Sequence, residues 1–172
     1  MRPVSGFTAD LIERLNASGL PPGTLNFEIP ESVVIRKPAE TATFISAFKE
    51  LCCRITLDQY TSGLPSFAFL KRLDLDALKI DGELLRTILT DTTDRAFIRS
   101  VIDIAHTLDL KVVAQQIENE DALTLVHELG ADYAQGFCVH RPEPLSNLLP
   151  TNNKPTTKTR HSDPAQEKRK SA

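Results

Sequence analysis

Apolar residues along the chain switch repeatedly between helical and strand-like spacing. The stretch FTADLIERLNASGL, from Phe7, is amphipathic at helical spacing and stops at Gly19, just before Pro21 and Pro22, which predicts a helix and then a turn. Residues 25–29 form a short apolar run, followed by Glu31-Ser32 and a helical pattern over 41–51. Residues 54–58 read as a strand, 64–73 as a short helix, and 77–81 as another strand. A longer helix over 95–108, a buried strand over 111–114, a helix over 121–129 and a last strand-like piece at 131–134 complete the series. Pro142 and Pro144 are expected to close the ordered part.

Short apolar strands separated by helices imply parallel pairing, hence an α/β fold. In barrels and doubly wound sheets of this kind, functional residues sit at the carboxyl ends of the strands. Glu28, Asp58, Lys79, Asp81, Gln115 and Gln135 all fall there. A single polar strand end is ordinarily a solvated or capping residue, but its repetition argues for a shared face. Carboxylates converging with a lysine suit phosphodiester hydrolysis, because oxygen ligands hold hard divalent cations, the cations activate water, and the lysine offsets developing charge.

Composition narrows the picture. At 172 residues, 41% hydrophobic and 25% charged, the chain has the make-up of one ordinary globular domain. No run approaches the roughly 18 apolar residues of a membrane span, so a cytoplasmic protein without a membrane role is expected. The net charge of −3 hides an asymmetry, since residues 150–172 carry a surplus of Lys and Arg and almost no large apolar residue. That segment reads as a disordered basic tail, set apart from an ordered region over 1–149. Its KRK run is more simply a solvated end than a nucleic-acid contact. Cys52, Cys53 and Cys138 form no CxxC pair and read as small buried apolar residues; the four histidines lack zinc-site spacing. There is no P-loop, GxGxxG, nucleophile elbow or HExxH.

Glu28-Ile29-Pro30-Glu31-Ser32, Asp58-Gln59-Tyr60-Thr61-Ser62-Gly63, LKRLDLDALKID from Leu70, Val113-Ala114-Gln115-Gln116-Ile117-Glu118 and GADYAQGF from Gly130 with Arg141-Pro142, taken in this order, together resemble the EAL domain family of cyclic di-GMP phosphodiesterases. Glu28-Ile29-Pro30-Glu31-Ser32 is similar to its E-I-T-E-S segment, and Asp58-Gln59-Tyr60-Thr61-Ser62-Gly63 stands where the family has D-D-F-G-T-G. The stretch from Leu70 to Asp81, LKRLDLDALKID, resembles L-K-R-L-P-V-D-x-L-K-I-D. Val113-Ala114-Gln115-Gln116-Ile117-Glu118 looks like V-A-E-G-V-E, and GADYAQGF from Gly130, with Arg141-Pro142, is similar to G-x-D-x-x-Q-G-Y and R-P. The resemblance covers about residues 7–149 and implies part of a modified (β/α)8 barrel, with about five of its strands, in which cyclic di-GMP lies across the carboxyl-terminal mouth beside two Mg²⁺ or Mn²⁺ ions. It implies metal-binding roles for Glu28 and Asp58, and places Lys79 near the metal-bound water and phosphate. Asp81, Glu118, Gln135 and Arg141 are then expected near the nucleotide, and Glu31 is expected to fix the loop after Asp58.

Departures from the family pattern set the functional expectation. Gln59 replaces the second aspartate of D-D and weakens a metal site, and Gln115 replaces the glutamate that serves as metal ligand and general base. Thr61 and Gln116 replace glycines, so backbone conformations open to glycine become costlier there. The E-A-L strand and the asparagine ligand fall before the start of this sequence. These differences point to a non-catalytic module that binds cyclic di-GMP or a protein, with a partner protein or second copy expected to complete the sheet. A working phosphodiesterase and a non-functional fragment stand as alternatives, and a doubly wound response-type domain would show an acidic cluster after its first strand that is not seen.

Overall fold

The structure is a computed structural model that describes residues 6–61 and 70–148. The first of its two units ends at Arg141. It contains α1 (Gly6–Ser18), β1 (Asn26–Pro30), α2 (Glu31–Arg36), α3 (Pro38–Lys49), β2 (Arg54–Tyr60), β3 (Ala77–Ile80), α4 (Gly82–Leu85), α5 (Thr92–Thr107), β4 (Lys111–Ala114), α6 (Glu120–Glu128) and β5 (Tyr133–Ala134). The strands form one sheet in the order β1-β2-β3-β4-β5, and every neighbouring pair is parallel. This is the expected α/β architecture.

Strand alternation sorts the sheet into two faces. Glu28 pairs in register with Thr56 and Pro30 with Asp58, Thr56 pairs with Ala77, and Lys79 pairs with Val113. Glu28, Asp58 and Lys79 therefore share one face. The other face is apolar: Ile55, Leu57, Leu78, Ile80, Val112 and Ala114 are buried, each at most 1% exposed. Helices cover this second face. The Phe27 ring of β1 lies 5.8 Å from Phe44 and 4.6 Å from Phe48 of α3, and Phe48 is fully buried. Burying such a ring stabilises the fold by about 1.5–3 kcal/mol. From α5, Ile98, Val101, Ile102 and Ala105 form one buried stripe at helical spacing.

Two aspartates brace the amino-terminal end of the sheet in the same way. Asp76, just before β3, accepts from the Ile55 N–H at 2.7 Å and from Lys49 Nζ at 2.8 Å. Asp132, just before β5, accepts from the Val112 N–H at 2.9 Å and Lys111 Nζ at 2.6 Å, with His106 Nε2 at 2.8 Å. Burial pushes the Asp132 pKa up, but Lys111, the Val112 N–H and His106 outweigh it and hold the carboxyl at about 2. Each aspartate ties the start of its strand to the neighbouring strand and to a lysine.

Several expectations are corrected. The helical pattern assigned to 41–51 begins earlier: Glu31 opens α2, and α3 starts at Pro38, which suits a first helical position because it lacks an N–H. The α5 helix starts at Thr92 rather than at residue 95, because Asp91 accepts from the Thr93 and Asp94 N–H groups at 2.7 and 3.2 Å and caps it. Strand β5 has two residues where four were expected. Most of the helix expected over 64–73 lies outside the described residues, as does the basic tail. Pro142 and Pro144 do not end the ordered part, for the second unit contains a helical turn, α7 (Leu145–Leu148). Of the cysteines, Cys53 is buried, Cys138 half-buried and Cys52 exposed, the last at a positive φ of 57° in the turn after α3. No helix among the described residues is long and apolar enough to cross a membrane.

Candidate functional site

The carboxyl ends of the strands gather the polar residues into a mouth with Lys79 at its centre. Lys79 projects from β3 with its side chain 7% exposed, and its Nζ lies 2.9 Å from each Glu28 oxygen and 3.8 Å from Asp58 Oδ1. A buried ammonium is costly unless paired, and here it faces two carboxylates on the two preceding strands. The Gln115 side chain, just past β4, donates from Nε2 to Asp58 Oδ1 at 3.1 Å. One network thus spans β1 to β4.

Asp58 is aimed by an irregularity in its strand. Between Leu57 and Tyr60 β2 advances one residue more than β3 does between Leu78 and Ile80, which is a β-bulge around Asp58 and Gln59. Gln59 takes a left-handed φ of 55°, a conformation that costs roughly 1 kcal/mol in a residue with a Cβ. Gln116 does the same at 56°. Thr61 is not among the positive-φ residues, so the strain expected there falls on Gln59 instead. Thr61 donates its N–H at 3.1 Å and its hydroxyl at 3.0 Å to Glu31 Oε2, holding the start of the loop against α2. Glu31 is 4% exposed, and its other oxygen has no hydrogen-bond partner among the described residues. Burial, and then the Glu31 charge, push the neighbouring Tyr60 phenol up in pKa.

The remaining site residues divide. Asp81 caps α4, accepting from the Glu83 N–H at 2.8 Å. Gln135 stays level with Gln115 because the ladder continues past the strands: the Gln135 N–H donates to Ala114 O at 2.8 Å, and the Ile117 N–H to Gln135 O at 3.0 Å. Gly136 permits this approach, since an added Cβ would overlap the Ile117 backbone. Glu118 and Gln135 are exposed, and no hydrogen bond joins either side chain to Lys79 among the described residues. The Arg141 guanidinium lies over the Phe137 ring at 5.3 Å, a cation–π contact. Sequence reading treated Gln116 only as a loop change, yet its side chain packs on Gly82, where any Cβ would collide with it. The swap of a glycine for a long amide in V-A-E-G-V-E was the available signal.

These donors do not fit a pair of divalent ions. Mg²⁺ demands near-octahedral oxygen coordination and Ca²⁺ takes six to eight oxygens, whereas no group of three His, Cys, Asp or Glu side chains converges among the described residues. Both Glu28 oxygens face the Lys79 ammonium, and Asp58 Oδ1 accepts from an amide.

A parallel α/β sheet with its polar side chains collected at the carboxyl ends of the strands places this chain among the α/β proteins that carry their sites at that end of the sheet. More particularly, residues 3–142 match the model of the EAL domain, and the chain belongs to the EAL domain family. The cyclic di-GMP phosphodiesterase PdeF of Escherichia coli (strain K12) is 34% identical over 125 residues, which is 73% of this chain and 17% of that protein. The PaMucR phosphodiesterase, solved as a c-di-GMP complex, matches with a TM-score of 0.78 at 29% identity, over 84% of this chain and 59% of that one. The EAL domain of Mycobacterium smegmatis DcpA matches with a TM-score of 0.75 at 29% identity, over 84% of this chain and 65% of that one. This chain therefore spans less than two thirds of each of these relatives.

Proposed function

We propose that this EAL domain is a non-catalytic receptor for cyclic di-GMP. The observation that carries the reading is Gln115, whose amide donates to Asp58 at 3.1 Å where the family pattern has a metal-binding glutamate and general base. An amide has no useful basicity near neutral pH, and it brings no negative charge to a cation. Water activation then lacks its base. Binding asks less of the site. Gln59, Gln115, Gln116 and Gln135 fall at the carboxyl ends of the strands, and the exposed amides of Gln59 and Gln135 carry donors and an acceptor suited to phosphate oxygens and guanine edges, while Gln115 has one N–H already committed to Asp58. The c-di-GMP complex of PaMucR, a relative at 29% identity, supports the choice of ligand.

The test is incubation of the purified chain with cyclic di-GMP and Mg²⁺ or Mn²⁺, following the linear dinucleotide by chromatography while calorimetry follows binding. Saturable binding without linear product is expected, and Gln115→Glu alone should not create turnover. Linear product formed by the parent chain and abolished by Lys79→Ala would establish a working hydrolase instead.

A further inference from the structure

We infer that Gln116 is a positioning residue of the mouth: by packing its side chain over Gly82 it holds Gln115 against Asp58 and so raises the affinity for a nucleotide, a role that rests on the mouth being a nucleotide site. The chain on either side of Gln116 is pinned. The Gln115 N–H donates to Ile80 O at 3.2 Å toward β3, and the Ile117 N–H donates to Gln135 O at 3.0 Å toward β5. Between the two pins, residue 116 turns the backbone at a φ of 56°. Glycine takes that conformation freely and is what the family pattern carries there, whereas here a residue with a long side chain bears the strain.

The compensating feature lies across the gap between two strand-end loops. A Cβ at Gly82, the first residue of α4, would stand 2.4 Å from Gln116 Cδ and Oε1 and 2.5 Å from Gln116 Cβ. A change of rotamer can withdraw the amide group but not the Cβ, whose place is set by the backbone. Only one of the two positions can therefore carry a side chain while the backbone stays where it is, and Gly82 is buried against Gln116. The contact fixes its neighbour as well. Gln115 commits one N–H to Asp58 at 3.1 Å, which leaves its other N–H and its oxygen to a ligand. An amide held in place before the ligand arrives binds it without the entropy cost of being ordered. Gln116 supplies that order without touching the nucleotide.

The experiment follows the full chain by amide NMR without nucleotide and by calorimetric titration with cyclic di-GMP. Gln116→Gly relieves the positive φ, so its urea midpoint should stay near the parent's. Its Gln115 side-chain amide should nevertheless move toward the shifts of a free glutamine, and its dissociation constant should rise about fivefold, the weight of one hydrogen bond. Gln116→Met keeps the packing without the amide and should leave both readouts at their parent values. Gly82→Ala should displace the Gln115 amide and lower the urea midpoint in the parent background but not in Gln116→Gly. If that variant fails to fold alone, recovery of a cooperative transition in the double variant reports the same collision. An unmoved Gln115 amide in Gln116→Gly, or equal tolerance of Gly82→Ala in both backgrounds, overturns the inference and leaves the nucleotide reading intact. Gln116→Met binding as weakly as Gln116→Gly also overturns it, by making the Gln116 amide itself a nucleotide contact. A cooperatively folded parent chain that binds no cyclic di-GMP overturns the nucleotide reading, and the Gln115 amide then decides the positioning role by itself.

Discussion

Replacing Lys79 with methionine keeps most of the side-chain volume while deleting the charge, so it isolates the electrostatic role of this residue. Breaking a buried ion pair by removing one partner costs about 3–5 kcal/mol. Two features of the site lower that figure. Glu28 is 45% exposed and can be rehydrated, and Asp58, at 17%, keeps its bond from Gln115. A loss of about 2–3 kcal/mol is expected, which moves a urea midpoint by roughly 1 M at a slope of 2–3 kcal/mol/M. The same variant leaves Glu28 and Asp58 facing each other without a cation, so Mg²⁺ or Ca²⁺ should stabilise it against urea while leaving the parent chain unchanged. Equilibrium urea unfolding of both proteins, with and without each ion, measures all of this. A variant within about 0.5 kcal/mol of the parent, the usual range of surface substitutions, would refute the view that Lys79 holds the mouth together.

Asp132→Asn should reveal the brace at the opposite end of the sheet. The fall of the Asp132 pKa from 3.8 to about 2 corresponds to about 2.5 kcal/mol, reduced to about 1–2 kcal/mol because Lys111 and His106 are 61% and 41% exposed. A depressed carboxylate pKa stabilises above its ordinary value and loses that contribution as pH falls toward the folded value, so the stability gap between parent and variant should be full at pH 7 and shrink between about pH 5 and pH 2; a gap independent of pH, in urea melts across that range, would count against the brace. Gly136→Ala must push the Gln135–Cys138 segment away from Ile117, and should cost about 2 kcal/mol or more and weaken cyclic di-GMP binding with it. Unchanged unfolding of that variant would show that the backbone approach can relax freely.

The five strands and their polar ends were legible because apolar alternation and the charged residue that ends it are both local. Glu28, Asp58, Lys79 and Gln115 are brought together by register, and that too follows once strand parity is known. The bulge in β2 was not legible. Residues 54–58 alternate like any strand, and nothing at Gln59 marks it as an extra residue at positive φ. The bond from Gln115 to Asp58 joins residues 57 apart and exists only after three strands have paired. Asp91 carried a usable signal as a helix cap, but the apolar stripe beginning near Phe97 drew the predicted start of α5 too far along the chain. Asp81 looked like a site residue because of where it falls, while part of its chemistry is spent on capping α4.

Asp76 and Asp132 anchor strands at the end of the sheet remote from Lys79, through backbone N–H groups and lysines that take no part in the network around Asp58. In parallel α/β proteins that end carries stability and the other carries chemistry. The two can therefore change at different rates. A lineage can trade carboxylates for amides at one end, passing from turnover toward recognition, while its scaffold is secured by residues those exchanges never touch.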